Sequence, residues 1–455
     1  MLRLHTVRVG GHRYYVDELP RGREAGTGLA GESPGRWMGE AAAALGLGDR
    51  VEAGAFADVL SGQNPILGRP LPVQRDLVTV AGYDLVFCAP KSVSLLHALG
   101  STELASEVGA GHDAAVEATT DYLARTALGV RRQGQGHDQP RRVLPTTGMV
   151  AGAFVHRTSR ALDPHLHTHV VEANVAQGVD GIWSAVDGRG LFAHRAAAGR
   201  LYHAHLRHEL TERLGVAWDV RPSGLGDVVG VDPGLRGLFS QRTAAIKEYV
   251  AERAGRASAR GSFYATRPDK DRTASVEALA PEWRRRASEF GYDIGALSRV
   301  VGQNRGQSFD VERLQSSLAD RARPDGTLSR RDVVLVVAAT HVGGARVREV
   351  EAAADSLCAV AQPSGDERPG TARRWSAPSL AEAVRTCESE LTGRCGPPGR
   401  GHEAKPGRSR QAKESPAPDR SARGGVARLA ARERPNYDRG QHRGREQGRD
   451  MGLGR

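Results

Sequence analysis

"ALDPHLHTHVVEAN", residues 161–174, decides how this chain is read. His165, His167 and His169 alternate, and a mostly apolar run follows at once. In a β-strand, residues two apart share a face and lie about 6.6 Å from each other. The spacing predicts a strand with His167 and His169 on one side and Thr168 on the other, and Pro164 puts His165 at its entrance. Neutral imidazole is the commonest metal ligand. Two on one strand chelate a cation if a third donor comes from elsewhere. His156, eleven residues before His167, is one candidate and His165 another. His156 falls in "GMVAGAFVHRTS", which reads as the antiparallel neighbour, and "RTSRALDP" is long enough to turn between the two strands. Other metal hydrolases also carry HxH on a strand, and polar strand residues can simply face solvent, so the spacing does not name the chemistry.

Working outward, "LVTVAGYDLVFCA" alternates like a strand and "PKSVSLLHAL" turns helical, with Pro90 suited to the first turn. "STELASEVGAGHDAAVEATTDYLARTAL" has the pattern of a long amphipathic helix. "GVDGIWSAV" offers an Asp-Gly turn before a short strand. "AAAGRLYHAHLRHELTERLG" predicts a helix with Tyr202, Leu206, Leu210 and Leu214 on one stripe and Gly215 as its stop. His194, His203, His205 and His208 are expected on the surface of that helix. Residues 235 to about 320 read as mostly helical, interrupted by the basic loop "YATRPDKDRTAS". "LSRRDVVLVVAATHV" opens a further helical unit. From Gly396 apolar residues almost vanish, and the tail is expected to be disordered.

The 455 residues carry a formal charge of +11 and a pI near 9.9, which suggests a polyanionic partner, nucleic acid first. Length allows two or three domains. Four cysteines without a CxxC pair argue against a cysteine zinc site and a disulfide framework, so a reducing cytoplasm is expected. No apolar leader and no membrane span are legible.

"GHRYYVDELPRG", "PGRWMG", "GYDLVFCAPKSVSLLHALG", "HRTSRALDPHLHTHVVEANVA" and "DGIWSAVDGRGLFAHRAAAGRLYHAHLRHELTERLGVAW" together resemble the relaxase domain of the TrwC/TraI (MobF) family of HUH endonucleases. The resemblance runs from Met1 to about residue 300 and is weaker to about 393. It implies an α+β fold, an antiparallel sheet flanked by helices, with a relaxase domain at 1–320. A helical closing region would occupy 235–320, a remnant of the region leading into a helicase 321–393, and a disordered basic tail 394–455. It also implies nicking and strand transfer at a plasmid origin of transfer through a covalent 5′-phosphotyrosine. The family's first tyrosine falls on Tyr14, with Tyr15 beside it. Its metal triad falls on His156, His167 and His169, which makes His165 a bystander, and its acidic residue falls on Asp84. The implied partners are single-stranded DNA and a hairpin at the origin of transfer, with other conjugation proteins as further candidates.

The residue types suit that chemistry. A phenol with pKa about 10 needs help to attack at neutral pH. A divalent ion on three imidazoles keeps positions open for phosphate oxygens. Mg2+, Mn2+ and Zn2+ all remain candidates. Asp84, expected at a strand end, could take the phenol proton, orient His167 or His169, or merely cap a turn. Lys91, Arg160, Arg267 and Lys270 are candidate phosphate contacts.

The chain departs from the family in three ways, the first being His165, which stands where no histidine is required. "GREAGTGLAG" has no second tyrosine pair, which leaves Tyr14 or Tyr15 as sole nucleophile. No G-x-x-x-x-G-K-[ST] is present, so no motor activity is expected. A cleavage-inactive DNA-binding remnant is the alternative reading, and an unrelated His-metal hydrolase of a small molecule a third.

Overall fold

The five strands that matter to the site are β1 (Arg3–Arg8), β2 (Arg36–Met38), β3 (Val80–Cys88), β4 (Ala151–Thr158) and β5 (Pro164–Ala173). They form one sheet in the order β1-β3-β5-β4-β2, every neighbouring pair antiparallel. The protein is seen in a computed structural model that describes residues 2–10, 35–71, 79–133, 141–253, 265–266, 276–304, 306, 309–364 and 373–393. Tyr14, Tyr15, Arg267, Lys270, most of the basic loop and the tail from residue 394 lie outside the described residues. Among the described residues no helix is long and apolar enough to cross a membrane.

The alternation in β5 sorts its side chains between two environments. Leu166, Thr168 and Val170 are buried on one face, while His165, His167 and His169 are half-buried on the other. Beyond His169 the second face is covered as well. Two short helices, α1 (Glu40–Ala44) and α2 (Ala53–Leu60), lie over that end. Val171 and Ala173 there join Ala41, Ala42, Phe56 and Leu60 in a small apolar cluster. This is why the sequence changes from alternating to mostly apolar in mid-strand. A strand covered on one face alternates, and one covered on both does not.

The first face carries the main core. Helices α3 (Lys91–Leu99), α4 (Thr102–Thr126) and α5 (Arg189–Leu214) pack there. Ser101 caps α4 by accepting the Leu104 amide, and Gly215 ends α5 in the left-handed region at φ 61°. Leu85, Phe87, Leu166 and Val170 meet Leu95, Tyr122, Leu201 and Tyr202 in one cluster. A fully buried side chain of this size contributes about 1.5–3 kcal/mol.

Helices α6 (Gln241–Glu252), α7 (Val276–Glu289) and α8 (Val311–Arg321) follow. They precede α9 (Arg330–Thr340), α10 (Val347–Val360) and α11 (Ala377–Thr386). Leu314, Val333, Val337, Leu357 and Leu380 belong to the same core cluster as Leu201 and Leu206 of α5. The contacts gather the described residues into one compact unit.

One surface expectation is corrected here. His203 and His205 are buried, at 3% and 8% exposure, because α5 is packed on several sides rather than on one stripe. His205 Nδ1 accepts the Val347 amide of α10, and burial holds the His203 ring neutral, well below the usual histidine range. Arg207 on the same helix is 1% exposed and donates to the backbone carbonyls of Gly224, Ala338, His341 and Val342.

Candidate metal and strand-cleavage site

Register alone brings the histidines together. His156 of β4 stands opposite His167 of β5. His169 stands two residues on from His167, flanked by Phe154 of β4 and Val86 of β3. Directly paired residues share a face of an antiparallel sheet, so all three imidazoles project from the side that α1 and α2 leave open at this end. The ring centres form a nearly equilateral triangle: 5.4 Å for His156–His167, 5.2 Å for His156–His169 and 5.3 Å for His167–His169. Three imidazole nitrogens each about 2.1 Å from one tetrahedral cation set their ring centres about 5 Å apart. Among the described residues no group of three or more His, Cys, Asp or Glu side chains stands with its donor atoms already placed to hold a metal ion. The His156 and His167 rings are stacked, with their planes 25° apart.

Two of the three rings have their tautomer set. His169 Nδ1 donates to Asp84, 2.9 Å from Oδ1 and 3.0 Å from Oδ2. His167 Nδ1 donates to the His165 carbonyl at 2.9 Å. A donating Nδ1 puts the lone pair of a neutral imidazole on Nε2, the arrangement in which an outer partner fixes a ligating histidine. Burial, and then the neighbouring imidazoles of His165, His169 and His156, hold His167 well below the ordinary histidine range. It is therefore neutral, as a ligand must be. The donor set thus fits a divalent cation of borderline hardness.

Asp84 is not at a strand end, as the sequence reading expected. It lies in the middle of β3, opposite Val171, and is 4% exposed. Central placement is what lets it reach across one strand to His169. Its register partner on the other side is His5 of β1, so that exposed imidazole belongs to the same face. His165, read as a bystander, stacks on His167 at 4.7 Å, and burial followed by the Lys91 cation lowers its pKa to about 3.

The turn that feeds β5 is tightly held. Leu162 sits in the left-handed region at φ 56°, a conformation that costs a leucine about 1 kcal/mol or more. Its carbonyl accepts Trp283 Nε1 of α7 at 2.8 Å. Asp163, 1% exposed, accepts the Gln241 amide and side chain at 2.9 and 2.7 Å, with Arg286 at 3.4 Å. Lys91 Nζ donates to the Pro164 carbonyl at 2.6 Å, and burial, opposed by Asp163, brings its pKa down to about 8. Arg160 is half-buried in the same turn. The sequence reading missed the Asp163 anchor. An acidic residue before a proline gives no signal that distant helices will close on it.

With this geometry in view, the chain matches the family model described as TrwC relaxase over residues 7–290. The multifunctional conjugation protein TraI of Escherichia coli is 33% identical over 281 residues, covering 59% of this chain and 15% of that protein. The corresponding protein of Escherichia coli strain K12 is 31% identical over 303 residues, covering 64% and 16%. The chain therefore spans under a fifth of the curated relatives' length. A metal-bound structure of conjugative relaxase TrwC in complex with oriT DNA superposes with a TM-score of 0.56 at 29% identity, covering 65% of this chain and all of that one. TrwC complexed with a 27-mer DNA comprising the recognition hairpin and the cleavage site gives 0.55 at 29%, covering the same 65% of this chain and all of that one.

Proposed function

Because the chain belongs to the TrwC relaxase family, we propose that it nicks one DNA strand at an origin of transfer and holds the cut strand as a tyrosine adduct. The observation that carries this reading is the triangle of His156, His167 and His169 with Asp84 behind His169. Those three imidazoles would hold a divalent cation of the Mg2+, Mn2+ or Zn2+ class. When bound, it would polarise the scissile phosphate and offset charge that builds up in the transition state.

The chain's own residues do the rest. The Tyr14 phenol loses its proton and its oxygen attacks phosphorus. The new bond is phosphotyrosine, the broken bond is P–O3′, and the departing 3′ oxygen gains a proton. One phosphate ester replaces another, so the strand can be rejoined. Asp84 accepts from His169 through both oxygens, which favours orienting that ring over taking the phenol proton. Arg160, Arg267 and Lys270 would hold flanking phosphates. Lys91, tied to Pro164, would instead brace the strand that bears the histidines. Single-stranded DNA and its hairpin are the partners, met in the cytoplasm where plasmid DNA resides.

The test is a gel assay with a single-stranded oligonucleotide from the chain's own origin of transfer and Mn2+ or Mg2+. A covalent protein–DNA band is expected from the wild type and from Tyr15→Phe, and none from Tyr14→Phe. Adduct lost in Tyr15→Phe and kept in Tyr14→Phe moves the nucleophile to Tyr15. Tight origin binding with no adduct under any metal makes the protein a DNA-binding remnant.

A further inference from the structure

Behind the histidines, on the closed side of the sheet, runs a buried polar chain. Thr168 lies between His167 and His169 and points the opposite way. Its Oγ1 meets His112 Nε2 of α4 at 2.8 Å, and His112 Nδ1 meets the Tyr202 hydroxyl of α5 at 2.8 Å. All three residues are 0% exposed. A neutral imidazole has one donor and one acceptor, so His112 joins a hydroxyl that donates to one that accepts. Gly111 of α4 faces α5 closely there, where an added Cβ would lie 2.9 Å from the Leu210 side chain. Phe87, the β3 partner of Thr168, closes the chain with its ring 5.4 Å from Tyr202.

A core of this kind is ordinarily apolar, because each buried hydroxyl or imidazole must find a partner or cost about 1–3 kcal/mol. This one places its polar groups behind the residue that separates two candidate ligands. We propose that Thr168, His112 and Tyr202 are positioning residues for the metal site, fixing the height of the His167–His169 strand segment against α4 and α5. The hydroxyl ties the peptide between the two histidines to two long helices, which sets where both Cβ atoms stand before any cation binds. A valine at 168 would still fill the space, but the strand would then be held by packing alone, which tolerates small shifts that coordination does not. The inference rests on the metal reading of the three histidines.

The experiment is a Co2+ titration of the full chain, following visible d–d absorption for affinity and ligand field, with thermal unfolding run in parallel. Thr168→Val is expected to weaken Co2+ binding about tenfold and alter the band, and Thr168→Ser to restore both. Tyr202→Phe, which keeps the ring, is expected to act in the same direction, and Thr168→Val with Tyr202→Phe to be no worse than the stronger single change. Should Thr168→Val not fold, Tyr202→Phe carries the same measurement. Affinity and band unchanged in the folded variants, whatever happens to Tm, overturn the proposal while leaving the metal reading intact. A wild type that takes up no Co2+ overturns both.

Discussion

Substituting Asp84 separates its two conceivable roles. In the structure both of its oxygens lie within 3.0 Å of His169 Nδ1, in a site where the aspartate is 4% exposed. A hydrogen bond to a charged acceptor contributes about 1.5–3 kcal/mol and a neutral one about 0.5–1.5. Asp84→Asn keeps the shape and one acceptor, so the loss is about 1–1.5 kcal/mol, or about tenfold in whatever depends on the His169 orientation. Asp84→Ala leaves Nδ1 without its acceptor and frees the ring to turn, and a loss nearer a hundredfold is expected. The assay is adduct formation across a Mn2+ series. If Asp84 orients the ligand, the half-saturating Mn2+ concentration rises by these factors and the rate at saturating metal is largely recovered. If Asp84 takes the phenol proton, the saturated rate falls and the metal dependence stays put. An unchanged half-saturating concentration in both variants refutes the orienting role.

Glu172 lies wholly buried on the core side of β5, and burial, only partly offset by the Val150 backbone, holds its carboxyl well above the usual range. A raised folded-state pKa means stability that is full below about pH 4.3 and lost as pH climbs toward the folded value. Tm should therefore fall across that window in the wild type and much less in Glu172→Gln, as read by calorimetry at several pH values. Arg207→Met strands the carbonyls of Gly224, Ala338, His341 and Val342. About 3 kcal/mol or more should be lost in urea unfolding at unchanged m, and a loss below about 1 kcal/mol would show that the clamp is dispensable. Binding to the origin oligonucleotide should weaken with salt, the logarithmic slope dropping by about 0.7 for each phosphate contact removed in Arg267→Ala or Lys270→Ala. Anisotropy titrations at several salt concentrations measure it, and slopes equal to wild type would take those two residues off the DNA.

Much of the site could be read in one dimension because strands are local. HxHxH with period two fixes which imidazoles share a face, and the eleven-residue interval allows a hairpin between the strands of His156 and His167. That interval left His156 and His165 both open as the third donor, and only the pairing of the two strands sets His156 opposite His167. Local logic also failed for Asp84. Its position along "LVTVAGYDLVFCA" is plain, but its reach depends on β3 lying beside β5 rather than beside β4, and pairing order is not written in either strand. It failed again on α5, where His203 and His205 read as surface residues until later helices close over them. Periodicity reports one buried face, and a helix enclosed by later parts of the chain has more than one.

By itself the sequence determined the three strands that carry Asp84, His156, His167 and His169, and the face that His167 and His169 share, because backbone alternation is imposed residue by residue. Only the tertiary structure decided that Asp84 backs His169, that Asp163 ties α6 and α7 to the turn before the histidines, and that Thr168 is bound from behind by His112. Each of those contacts joins residues at least 56 positions apart. Such contacts exist only once the core has brought separate elements together, and no local preference of either partner encodes them.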